Sequence, residues 1–333
     1  MASLLESMSE MISPDMIGSL SKSLGADSSA VTKALGAAGP LLLGGMANMA
    51  GTPAGAQSLF DMAKNQGSGI LGSLGSVLSG LFGGGAAAPA SGGLMSTLLG
   101  SGANGIAATL SKTFGFNVGP MLGFIAPAMM GLVSKAASSQ NLDASGLASM
   151  LKKENDAFVA NPANKATMDV VNAARAAGDK ATSLVQSYGA DWAKVAAGPA
   201  AALFMVASAD PSGPIDTMKE ARAAGEKLVE LAKGAAPTSL IGAAFGSGMT
   251  VDMLRQVRSV APTKDKLLDA IKAAVAAVAA KSPAEAQSYK NMIMSVAEAT
   301  ATASKDGGFL GIGGKLVSDD EQAALNALKA ALG

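Results

Sequence analysis

The chain has 333 residues, 25 basic against 25 acidic side chains, and neither histidine nor cysteine. That length allows two domains, while zero net charge leaves no long-range field to gather nucleic acid. Without His and Cys there are no disulfides, no thiolate metal sites and no catalytic arrangement built on imidazole.

Only 15% of residues are charged and 4% aromatic, against 41 Gly and 19 Met. Small and flexible side chains must therefore fill the interior. At the start, Glu6 and Glu10 stand where a secretory signal needs basic residues and an apolar run, which predicts a cytoplasmic protein. Ser13-Pro14 and Thr52-Pro53 each set a capping hydroxyl before a proline at the first helical position. Between them Ile17, Leu20 and Leu24 recur at helical spacing. Sustained strand alternation is missing from the sequence, so the predicted fold class is all-α.

The first half repeats itself. Leu20-Ser21-Lys22 and Gly25 match Leu110-Ser111-Lys112 and Gly115. After a three-residue gap, Val31, Leu35, Gly36, Pro40 and Gly44 match Val118, Leu122, Gly123, Pro127 and Gly131. Each copy, about 14–66 and 103–153, predicts a short helix, a turn at Gly, a Pro-containing apolar helix and a closing helix (Ser58–Asn65 or Gly146–Lys153).

A stretch without charge, from Asn65 to Ser111, joins the copies. Within it Leu71, Leu74, Leu78, Leu81 and Phe82 alternate with glycines, a pattern that lets helices touch backbone to backbone. Ser and Gly interrupt the run too often for a single membrane span, and Met121–Val133 is too short for one. Reversible surface association or self-packing is the expected behaviour.

Charge then changes abruptly. Residues 1–150 hold five of the 25 basic and six of the 25 acidic side chains, and all four Arg lie beyond. This places a domain boundary near Leu151–Asn164, between a first domain (1–155) and a second helical bundle (165–333). In the second half, Leu267, Leu268, Ile271, Val275 and Val278 form one apolar stripe, and Tyr289, Met292, Ile293 and Val296 another. Ser282-Pro283-Ala284-Glu285 and Ser318-Asp319-Asp320-Glu321 predict capping boxes, and Leu325, Leu328 and Leu332 a last amphipathic helix. A second duplication is visible: the helix ending at Asp210 and the helix ending at Asp306 each run through a Gly/Pro loop, to Ile215-Asp216 or Val317-Ser318.

The doubled Leu-Ser-Lys…Gly…Pro pattern of residues 1–155 resembles the bacterial YidB-like family, a helical domain of unknown function. Residues 165–333 are similar to tellurite-resistance TerB-like helical domains through Ala209-Asp210…Ile215-Asp216 and Ala303-x-x-Asp306-Gly307…Val317-Ser318-x-x-Glu321. The second resemblance implies acidic residues linked to metal binding, and membrane-associated stress complexes. Neither resemblance supplies a catalytic residue.

Each candidate site is weighed against a structural role. Asp210, Asp216 and Asp306 are the metal candidates, and Asp210–Asp216 offers oxygens at near-alternate positions. It lacks a calcium loop's residue count and distal bidentate Glu, so a turn with an Asp cap explains it better. Gly307–Lys315 lacks the Ser/Thr and preceding strand of a phosphate loop. It is instead expected to present Phe309, Leu310 and Ile312 to a partner. Adjacent Ser21-Lys22 and Ser111-Lys112 diverge on a helix, which leaves them structural, and Trp192 is expected to anchor the core. A hydrolase using carboxylates alone would have only Asp319-Asp320-Glu321, which the helix cap accounts for.

The expectation is a non-enzymatic helical scaffold that self-assembles, without cofactor, nucleic acid or small-molecule substrate. Its first half has too few polar residues to cover its surface, so uncovered apolar faces are expected to meet another protomer, a lipid surface or the second domain. The alternative is a cytoplasmic, membrane-surface-associated stress-response adaptor that binds a divalent metal.

Overall fold

A computed structural model describes residues 3–66, 91–209, 214–245, 254, 257–259, 261, 263–303 and 317–333. Every regular element among them is helical. In order these are α1 (Leu4–Met11), α2 (Pro14–Leu24), α3 (Ser28–Met49), α4 (Pro53–Gln66), α5 (Ser91–Leu99), α6 (Ala103–Phe114), α7 (Gly119–Ser139) and α8 (Ala144–Ala160). They continue as α9 (Lys165–Tyr188), α10 (Trp192–Ala207), α11 (Pro214–Gly234), α12 (Leu240–Phe245), α13 (Lys264–Lys281), α14 (Ala286–Ala301) and α15 (Asp319–Leu332). The chain divides into two compact units, Met1–Asp179 and Lys180–Gly333, with the changeover inside α9. The shift in charge at 151–164 falls earlier, and Val171 and Ala174 of α9 still belong to the core of the first unit.

Local chemistry sets the helix starts of the first unit. Ser3 and Glu6 form a reciprocal capping box on α1. Ser13 Oγ accepts the Met16 N–H at 3.2 Å, and Thr52 Oγ1 accepts the Gly55 N–H at 3.1 Å. Asp27 caps α3 through the Ser29 N–H at 2.7 Å, and Asp143 caps α8 through the Gly146 N–H at 2.7 Å. Gly25 (φ +59°) and Gly115 (φ +82°) end α2 and α6 in the left-handed region, where a side chain would be strained. Ser21 and Ser111, at matching places in the two copies, are both buried. Ser111 Oγ accepts the Val118 N–H at 3.1 Å, and Ser21 Oγ lies 3.1 Å from Ser28 Oγ. Each ties the end of one helix to the start of the proline-containing helix that follows.

Those two long helices, α3 with Pro40 and α7 with Pro127, form the middle of the first unit. Both are long and apolar enough to cross a membrane by length and composition, yet most of each is buried inside the protein. One core cluster runs from Leu4 to Ala174 and takes residues from both copies. The expected uncovered apolar faces are not found on these helices. Among the described residues, the exposed large hydrophobics are Met11 (38%) and Val159 (49%). The physical reason is that the copies cover each other.

The second unit is built around α10, whose small buried residues let α13 and α14 pack closely on it. Both predicted stripes face this core: Leu267, Ile271 and Val278 are buried on α13, as are Tyr289, Met292, Ile293 and Val296 on α14. Ser318 and Glu321 form the predicted capping box on α15. The box predicted at Ser282–Glu285 does not form, because Ser282 makes no side-chain cap bond. Glu285 instead accepts the Leu240 N–H at 2.7 Å, satisfying the bare start of the short α12 across 45 residues of sequence.

Candidate assembly interface

Most of the residues singled out in the sequence lie outside the described residues: Asp210, Asp306, Leu71, Leu74, Leu78, Leu81, Phe82, Phe309, Leu310 and Ile312. Asp216 falls in the first turn of α11, the position expected of a capping-region acid, and its side chain is outside the described set. Among the described residues no three of His, Cys, Asp and Glu cluster so as to hold a metal ion. Trp192 opens α10, half-buried, with its ring edge-on to Tyr188 at 5.7 Å.

The surface with the most organised geometry is internal to the first unit. Helices that are neighbours in the sequence are not the ones that pack most. The closing helix of the first copy, α4, packs on α7 and α8 of the second, and α8 in turn packs on α3 and α4. The proline helices α3 and α7 meet directly. Of the two helices outside the recognised repeat, α1 packs mainly on α7, whereas α5 packs mainly on α7 of its own module and also reaches α3. The first unit is therefore a pair of four-helix modules, α1–α4 and α5–α8, each closed by helices of the other. Such reciprocity is the mark of an isologous pairing, here within one chain.

Individual contacts show how closely the modules approach. The Leu4 N–H at the start of α1 donates to Glu154 Oε2 of α8 at 3.2 Å. A side chain built on Gly45 of α3 would stand 2.8 Å from the Leu98 carbonyl oxygen, so only glycine permits that approach to α5. The bare face of the adjacent Gly44 is covered by the Arg175 guanidinium, with Asn155 Oδ1 of α8 3.2 Å from where a Cβ would be. Burial lowers the Arg175 pKa, and neighbouring Asp179 opposes that shift. At the rim, the Asp27 and Asp143 carboxyls are held below the ordinary carboxylate range by the amides and hydroxyls they cap.

Within the chain this arrangement joins two apolar helical modules through burial and backbone-level fit. Sequence reasoning found the repeat but missed α1 and α5 as matching elements. The signal lay in their position, since each precedes its copy's first helix by a short turn.

Residues 6–136 match a protein-family model described as "Bacterial protein of unknown function (DUF937)". The match begins in α1 and ends within α7, so it takes in the first module and much of the second. No curated protein and no solved structure matches the chain.

Proposed function

We propose that the protein is a non-enzymatic helical scaffold that self-assembles through its first unit, with the more charged second unit turned to solvent or to recruited partners. One observation carries this reading: most of the helix packing in the first unit is between two like modules that share one core. Each module is complementary to a like module, so a second copy of the chain offers the same complementary surface. The uncharged stretch from Asn65 to Ser111 supports the same reading, because it carries the chain from one module into the other without adding charge that would oppose close packing.

Sedimentation across protein concentration and salt, together with electron microscopy of native protein without detergent, tests the proposal. Large particles or filaments are the expected result. A strict monomer under all conditions overturns it.

The second reading, a membrane-surface stress-response adaptor, draws on the length and apolar character of α3 (22 residues) and α7 (21 residues). Burial of most of each helix inside the protein (67% and 61% of their apolar stretches) weakens them as independent spans. Flotation with liposomes separates the readings, since an adaptor stays small until lipid is added, whereas a scaffold forms particles without it.

A further inference from the structure

The reciprocal packing of the first unit bears on how copies of the chain would join. Leu42, Leu43, Leu59, Met121, Leu122 and Leu147 are all fully buried, and they come from α3 and α4 on one side and α7 and α8 on the other. Neither module could bury these residues alone, because α4 and α8 lean on the opposite module rather than on their own. The modules are joined by 24 residues, 67–90, for which the upper limit of reach at about 3.4 Å per residue is roughly 80 Å. That exceeds the width of a helical module, so the partner of a module need not be the one in its own chain.

We propose that the self-assembly contact is an exchange of modules: α1–α4 of one chain pair with α5–α8 of a second copy. The contacts between chains are then those already present within one. This rests on the scaffold reading above and names its surface. No further apolar patch is needed, which fits the scarcity of exposed large hydrophobics on the described residues.

The balance between the two pairings is set by effective concentration rather than by contact energy. Pairing within one chain prevails when chains are dilute, and pairing between chains gains as concentration rises. A chain that gives one module away leaves its other module unpaired. The products are therefore reciprocal dimers, closed rings or open-ended filaments.

The absence of native cysteine makes a direct test clean. Gly44 on α3 and Asn155 on α8 face each other across the module boundary. A Gly44→Cys chain and an Asn155→Cys chain carrying different size tags are co-expressed, fractionated by sedimentation and oxidised. The expected result is a disulfide-linked heterodimer in the assembled fraction and its loss from the monomer fraction, where a Gly44→Cys/Asn155→Cys double variant gives only an internal link. Because Arg175 crowds Gly44, a second pair, Ser3→Cys with Glu154→Cys and a short bis-maleimide, repeats the measurement at the start of α1.

Particles that sediment as assemblies but give no heterodimer with either pair overturn the exchange and leave the scaffold reading standing. Heterodimers confined to a closed dimer support the exchange and end the scaffold reading. A chain that is monomeric and yields no heterodimer overturns both.

Discussion

Pro199 sits in the middle of α10 and has no N–H to give the Val195 carbonyl one turn earlier. The Tyr289 hydroxyl takes that role, donating to Val195 O at 2.6 Å from α14 while wholly buried. Gly198 makes room for it, since a Cβ there would collide with the phenol oxygen. Burial drives the Tyr289 pKa far above the usual phenol value, so the hydroxyl stays a donor at every working pH. Tyr289→Phe should therefore lower stability by about 1–3 kcal/mol, the loss expected when a buried carbonyl is left unsatisfied. Chemical denaturation measures this, and Pro199→Ala completes a double-mutant cycle. With alanine the backbone supplies its own N–H to Val195, so the cost of Tyr289→Phe should shrink in that background. Equal costs in both backgrounds would show that the hydroxyl does not answer to the proline.

The two capping aspartates make a prediction in pH. Asp27 and Asp143 have folded-state pKa values below the ordinary value of 3.8. A depressed pKa contributes stability that is present above the unfolded value and is lost as pH falls through the lower folded value. Unfolding free energy should thus decline on acidification below about pH 4, the unfolded-state carboxylate range. Asp27→Asn and Asp143→Asn, which keep the cap but cannot titrate, should flatten that decline. Denaturation midpoints measured between neutral pH and the acid limb show whether they do.

Among the elements, chain reversals and close approaches depend on glycine. Gly25 and Gly115 hold corresponding left-handed positions at the ends of α2 and α6. Nothing crowds a Cβ at either, so alanine should cost about 1 kcal/mol at each, from backbone strain alone. Gly102, just before α6, and Gly178 on α9 differ: a Cβ on Gly102 would run into the Gly178 backbone. Gly102→Ala should cost more, about 1–3 kcal/mol, because backbone cannot move aside as a side chain can. Thermal melts of the three variants give the order, and a Gly102→Ala cost no larger than the others would show that α6 and α9 can separate freely.

These elements also show what the sequence could and could not reveal. The caps at Ser13, Thr52 and Ser318 and the turns at Gly25 and Gly115 were legible because donor, acceptor and chain reversal lie within a few residues of each other. Spacing assigns Glu285 to its own helix start, yet it serves α12 instead, because the competing amide at Leu240 is brought near only by the fold. Tyr289 was placed in the core by its stripe, while the Val195 carbonyl it satisfies is 94 residues away. The pairing of α4 with α7 and of α8 with α3 was not legible. Both copies carry the same apolar pattern, and periodicity says that a face is buried without saying which copy buries it.

For the first unit as a whole, interleaving implies cooperativity that a simple tandem repeat would not have. In a linear array each repeat rests on its neighbour and can open from an end. Here α4 and α8 each complete the opposite module, so loss of one module strips cover from the other. Leu42 on α3 and Leu122 on α7 are fully buried in the shared core, and truncation of either to alanine should cost about 2–5 kcal/mol. Hydrogen exchange under native conditions is the deciding measurement. Either variant should speed exchange in α3, α4, α7 and α8 together, by a similar factor, because one opening exposes them all. Selective loss of protection in the mutated module, with the other still slow, would mean that each module stands alone. The packing of α4 and α8 across the boundary would then add little to the stability of the unit, and a single module released from its partner would already be a folded body.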